Sequence, residues 1–134
     1  MNRPEQAVRA TGGCLCGAVR FEVTGALRDI VLCHCAMCRK THGHVAAYTA
    51  AQRSALHLVE SRGLKWYRSS DTAQRGFCGE CGASLFWKRE EGDAISIAAG
   101  MLEPPTGLAT SLQIHVDSAG DYYSVDPRVA QRRD

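Results

Sequence analysis

The chain has no apolar run near the roughly 18 residues that a membrane-spanning helix needs, and its opening MNRPEQAVRA lacks the apolar core of a secretory leader. A cytoplasmic protein with no membrane partner is expected. An excess of one charge sign is missing too. Sixteen basic side chains face 14 acidic ones, a formal charge of +2, which is too balanced to draw the protein onto nucleic acid. Arg128, Arg132 and Arg133 cluster near the end, where a solvated tail accounts for them. No segment sustains apolar residues at i, i+3, i+4 and i+7 over three turns, which excludes a long helix; RKTHGHVAAY and TGLATS have room for one short turn each. There is no internal repeat of about 20 to 50 residues and no linker. A single domain spanning 1–134 is therefore expected, with a core over about 11–127 and loose ends at 1–10 and 128–134.

Alternation of period two is plentiful. In GAVRFEV (17–23), Val19, Phe21 and Val23 fall on one face while Arg20 and Glu22 fall on the other, the mark of a half-buried strand. Further β-rich runs stand at VAAYTA (45–50), ALHLVE (55–60), LKWYRS (64–69), SLFWK (84–88), AISIAAG (94–100) and LQIHVD (112–117), separated by Gly, Ser and Asp. The fold class they predict is mainly β.

Cysteine is abundant, with seven in the chain. In a reducing compartment such a set reads as metal ligands, and an odd count would strand one thiol if disulfides formed. The thiols stand as Cys14 and Cys16, as Cys33, Cys35 and Cys38, and as Cys78 and Cys81. A structural zinc site takes four protein ligands, whereas a catalytic one takes three and keeps a position for water or substrate. The outer pairs can clamp one ion and the middle trio another, a partition that uses every cysteine. Counting also permits Cys14, Cys16, Cys33 and Cys35 against Cys38, Cys78 and Cys81. In FCGECG, Gly79 and Gly82 free the backbone for a tight turn that aims both thiolates at one ion. The outer pairs lie too far apart for a nucleic-acid-binding zinc ribbon, whose pairs are separated by about 15 to 20 residues.

The trio is where chemistry is expected. Three thiolates on a divalent zinc ion leave one net negative charge and a site that favours an incoming sulfur. Arg39 and Lys40 follow directly and are candidates to offset that charge or hold a substrate carboxylate. His115 and His42 are candidates to move a proton. The rival reading closes the trio with His34, His42, His44 or His115 and makes the protein a non-catalytic, zinc-stabilised protein-binding module. His34 is the poorest of these ligands, because an extended CHC backbone turns its ring away from the metal. His57, between Leu56 and Leu58, reads as an exposed strand residue.

GGCLCGAVRFEV, CHCAMCRKTHG, RGFCGECGASLFW and IHVDSAGDYYSV, from about Thr11 to about Pro127, resemble in order and spacing the glutathione-dependent formaldehyde-activating enzyme family, which also includes centromere protein V. The resemblance implies a β-tent of packed small antiparallel sheets and two Zn²⁺ per chain: a structural one on Cys14, Cys16, Cys78 and Cys81, and a catalytic one on Cys33, Cys35 and Cys38. It also implies a carbon-sulfur lyase acting on a small-molecule substrate, with glutathione or a similar thiol as co-substrate and S-hydroxymethylglutathione as the adduct with formaldehyde. Where Pro-Trp often follows the family's C-terminal His, this chain has Asp121 and Tyr122, then Tyr123. The two tyrosines read as core and rim residues.

Overall fold

In the computed structural model, which describes residues 7–134, the alternating runs become strands of two sheets. The elements are β1 (Ala10–Gly13), β2 (Arg20–Val23), β3 (Ile30–Cys33), α1 (Ala36–His42), β4 (Ala46–Gln52), β5 (Leu56–Glu60), β6 (Leu64–Arg68), β7 (Ala73–Cys78), β8 (Ser84–Arg89), β9 (Ala94–Ala98) and β10 (Thr110–Ile114). Three short 3₁₀ turns join them, at Arg53–Ala55, Ala99–Met101 and Val116–Ser118. One sheet has the order β1-β2-β5, the other β10-β3-β4-β9-β8-β7-β6. Every pairing is antiparallel except that of β10 with β3, which is parallel. The mainly β expectation holds.

Alternation sets the packing. Phe21 and Val23 point inward from β2 while Arg20 points out, and they meet Leu85, Phe86, Ile95 and Ile97 from the larger sheet in the main core. The Phe21 and Phe86 rings meet edge to face, with centroids 5.5 Å apart. Burying each such ring contributes roughly 1.5–3 kcal/mol relative to leaving it exposed. On the other face of the larger sheet, registers Ala50↔Ser96, Ser96↔Trp87 and Trp87↔Arg75 align a second row of side chains. This face is covered at one end by α1, and a smaller core of Cys33, Cys38, Ala46, Tyr48 and Ala98 fills the join.

Three expectations need correction. α1 is a true two-turn helix rather than a single turn, begun by Cys35 as N-cap and ended by Gly43 in the left-handed region at φ 83°; no turn forms over TGLATS. Of the loose end expected over 1–10, residues 1–6 lie outside the described residues, and Ala10 is paired with Val23. The C-terminal segment is not loose either. The Gln113 N–H donates to the Ala130 carbonyl at 2.8 Å and the Arg132 N–H to the Gln113 carbonyl at 2.7 Å, so the segment lies alongside β10 and satisfies its free edge.

Candidate metal centre

All seven cysteines are free thiols, and the fold gathers them into two groups. In each group, every sulfur lies within 4.8 Å of the others. The first contains Cys14 and Cys16, from the turn between β1 and β2, with Cys78, the last residue of β7, and Cys81, from the turn between β7 and β8. The Cys14 and Cys16 sulfurs are 3.7 Å apart and those of Cys16 and Cys78 are 3.8 Å apart. Thiolates held about 2.3 Å from a tetrahedral zinc ion would be about 3.8 Å from one another, so the donor set fits a metal of that size. Backbone N–H groups support the sulfurs: Val19 donates to Cys14 Sγ at 3.3 Å, and Glu80 and Cys81 each donate to Cys78 Sγ at 3.4 Å. The N–H groups of Ala83 and Cys16 hold the Cys81 thiol down to about 6. Gly82 supplies the left-handed residue that this turn needs, at φ 83°.

The second group is the trio. Cys33 ends β3, between Ala46 of β4 and Ile114 of β10. Cys35 caps α1 by accepting the Cys38 N–H at 3.3 Å, and Cys38 is buried in the first turn. Three thiols this close cannot all ionise alone. Its hydrogen bond with Cys33, aided by Arg75 and opposed by burial, holds Cys38 down to about 5, while the same bond and burial push Cys33 far up. A divalent cation removes that conflict by stabilising all three as thiolates, so the trio also fits a metal. Among the described residues, no histidine or carboxylate joins the trio within 4.8 Å.

The trio borders a cavity of about 390 Å³ laid on the outer face of the larger sheet. Val31, Tyr48, Ser96, Trp87 and Ile114 form its floor, and Arg28, Arg75, Arg89, Arg132 and His115 line it as well. The lining is strongly basic and, among the described residues, no carboxylate is in it, so the cavity suits an anionic guest. His115 stands there in the left-handed region at φ 55°, uncommon for any residue but glycine, with its own N–H donating to the Asp134 carbonyl at 3.2 Å.

The other expected residues go elsewhere. Arg39 reaches the Ser118 carbonyl at 3.4 Å and Lys40 is exposed, and neither lines the cysteine cavity. His42 lies behind Tyr48, whose hydroxyl is 2.8 Å from its Nε2, and lines a separate cavity of about 280 Å³. Burial, and secondarily the Arg75 charge, lowers the His42 pKa. His34 turns from the trio as expected. Its Nε2 donates to Gln113 Oε1 at 3.0 Å and its Nδ1 accepts from the Tyr123 hydroxyl at 2.6 Å, because Gln113 uses its own amide N–H to reach the Asp126 carbonyl at 2.9 Å. His44 pairs with the Tyr122 hydroxyl at 2.7 Å. His57 is exposed in β5 beside Thr24, as expected, although the alternation read there does not hold, because Leu58 and Val59 are exposed too. The residue missed by sequence reasoning is Arg75, whose Nη2 lies 3.7 Å from Cys38 Sγ. Its signal is its place in AQRGFC, two residues before Phe77, on a strand face that should have been apolar.

Residues 9–118 match the family model described as glutathione-dependent formaldehyde-activating enzyme. A Schizosaccharomyces pombe protein named as an uncharacterized lyase is 27% identical over 114 residues, which is 84% of this chain and 82% of that protein. A Rhodobacter sphaeroides protein of known crystal structure superposes with a TM-score of 0.60 at 26% identity, over 91% of this chain and 98% of its own. Among the described residues, no helix is long and apolar enough to cross a membrane.

Proposed function

The chain belongs to the glutathione-dependent formaldehyde-activating enzyme family, and from that premise we propose that it is a zinc-dependent carbon-sulfur lyase acting on the adduct of a glutathione-like thiol with an aldehyde or related small molecule. The observation that carries this reading is the trio itself: three convergent sulfurs, no fourth protein ligand within reach among the described residues, and a basic cavity alongside. A relative named as a lyase supports the reaction class. Cys33, Cys35 and Cys38 would hold the catalytic zinc, and Cys14, Cys16, Cys78 and Cys81 the structural one. When bound at the trio, zinc supplies a soft Lewis acid that favours the substrate's sulfur as its thiolate.

The chain's own residues account for recognition and proton movement. Arg89 and Arg132 are exposed at the cavity and bind the carboxylates of the thiol, with guanidinium forks matched to that geometry. Arg28 is half committed already, since it donates to the Tyr48 carbonyl at 3.0 Å. His115 is the group proposed to move the proton. In the cleaving direction, it takes the proton of the adduct hydroxyl as that oxygen becomes a carbonyl, the C–S bond breaks, and sulfur leaves with the electron pair. In the forming direction, sulfur attacks the carbonyl carbon and the oxygen receives the proton back from His115.

Cobalt substitution tests the reading. A thiol that enters the open position changes the sulfur-to-cobalt absorption on titration with glutathione. An unchanged spectrum, with four protein ligands already in place, would instead identify a stapled module without this chemistry.

A further inference from the structure

We propose that Arg75 is the buried counter-ion of the Cys33, Cys35 and Cys38 trio, and that it sets the preference of the site for an anionic sulfur over a neutral ligand. The inference rests on the metal-binding reading of the trio above. Arg75 is only 8% exposed, and a guanidinium in that position is costly unless an anion compensates it. It takes part in none of the carboxylate pairs formed among the described residues. Its Nη1 donates to two neutral hydroxyls, Thr41 Oγ1 at 3.1 Å and Tyr48 Oη at 3.5 Å. Its Nε is buried with no hydrogen-bond partner among the described residues. The remaining contact, Nη2 to Cys38 Sγ at 3.7 Å, is with a sulfur that becomes anionic when it binds a metal.

The placement is fixed from both sides. Arg75 lies in β7, across the sheet from β3, and reaches α1 through Thr41, whose hydroxyl donates in turn to the Met37 carbonyl at 2.8 Å. The cation therefore sits between the sheet and the helix that carries Cys38. Three thiolates on a divalent ion carry one net negative charge, and Arg75 brings the assembly to zero. An incoming thiolate then meets a neutral centre rather than a negative one. A neutral ligand such as imidazole is indifferent to that charge. Arg75 touches a metal ligand and is argued to act through the charge of the metal centre, so it is a positioning residue whose effect is electrostatic.

The test compares cobalt-loaded wild type, Arg75→Gln and Arg75→Lys, each titrated with 2-mercaptoethanol and with imidazole and read by visible absorption. 2-Mercaptoethanol carries no carboxylate, so the exposed arginines of the cavity do not enter. Arg75→Gln is expected to weaken thiol binding on the order of tenfold or more while imidazole affinity stays within about twofold, and Arg75→Lys restores most of the loss. Wild-type thiol affinity in Arg75→Gln overturns the inference alone, as does an equal loss for both ligands. A wild-type spectrum that responds to neither ligand overturns this inference together with the open-site reading. Should the glutamine variant not fold, the lysine variant decides: it keeps the charge and loses the fork, so its thiol-over-imidazole preference stays within about threefold of wild type, and a collapse of that preference sinks the counter-ion role.

Discussion

Cys16 and Cys78, sixty-two positions apart in the chain, bring their sulfur atoms to 3.8 Å. That contact joins the turn after β1 to the end of β7, so it closes a loop around most of the small sheet. Apparent zinc affinities of about 10–16 kcal/mol in small peptides rival the whole stability of a domain, about 5–15 kcal/mol. Cys78→Ser is expected to lower the melting temperature by at least about 10 °C or to prevent folding, and a strong chelator should do the same. Cys35→Ser should stay within about 5 °C of wild type, because a serine at that N-cap also accepts the Cys38 N–H. Circular dichroism melts with metal analysis check both, and equal destabilisation would mean that both ions are structural.

Gly63 bears on the same cluster from the β5–β6 connection. A Cβ there would stand 2.7 Å from the Ala18 Cβ and 2.8 Å from Cys78 Sγ, both of them fully buried atoms' neighbourhoods with no flexible end to yield. Gly63→Ala is expected to cost about 1–3 kcal/mol by overpacking, with weakened metal retention at Cys14, Cys16, Cys78 and Cys81 and unchanged retention at the trio. Denaturant unfolding and metal competition measure the two effects. An unshifted midpoint would show that the cluster has slack this geometry denies.

The three cysteine clusters were legible from spacing, and so were seven strands, because alternation and metal-ligand spacing are local patterns; which clusters share an ion was left open by counting and is decided by the fold. Three strands escaped: β3, a four-residue apolar run with no alternation to mark it, and two whose buried face breaks the pattern. β7 puts Arg75 and Gly76 at buried positions, and β1 is ATGG, where a Cβ added at Gly12 would stand only 2.6 Å from the Phe21 ring. In each case a tertiary neighbour decides what the position needs: Cys38 and Tyr48 for Arg75, Phe21 for Gly12. Arg39 and Lys40 were plausible because they are adjacent in sequence to the trio, but Arg39 reaches the Ser118 carbonyl and Lys40 is exposed, and neither lines the cysteine cavity. The counter-charge comes from a strand that no local reading connects to it.

The hydrogen-bond relay from Tyr123 through His34 to Gln113 makes its own prediction. Tyr123→Phe leaves His34 Nδ1 without a donor in a site where His34 is only 3% exposed. The expected cost is about 1–3 kcal/mol, with the trio's metal retained, because the ring faces away from it. Chemical denaturation read beside metal stoichiometry separates the outcomes. Loss of the trio's metal in this variant would mean that His34 orients the ligands on either side of it.

The last prediction concerns the segment beyond residue 128. Its pairing with β10 brings Arg132 to the cysteine cavity, and the Val116 N–H donates to the Arg132 carbonyl at 3.2 Å, just past His115. Side chain and backbone therefore act on different quantities. Arg132→Ala removes one exposed cation, so glutathione affinity in the cobalt-loaded protein should fall about three- to tenfold, less at high salt, while 2-mercaptoethanol binding is unchanged. Deleting residues 129–134 also releases His115 from its left-handed conformation, so turnover should fall as well as affinity. A deletion that binds glutathione and turns over like Arg132→Ala would show that the segment contributes only its charge, and His115 would then need another constraint to serve in proton transfer.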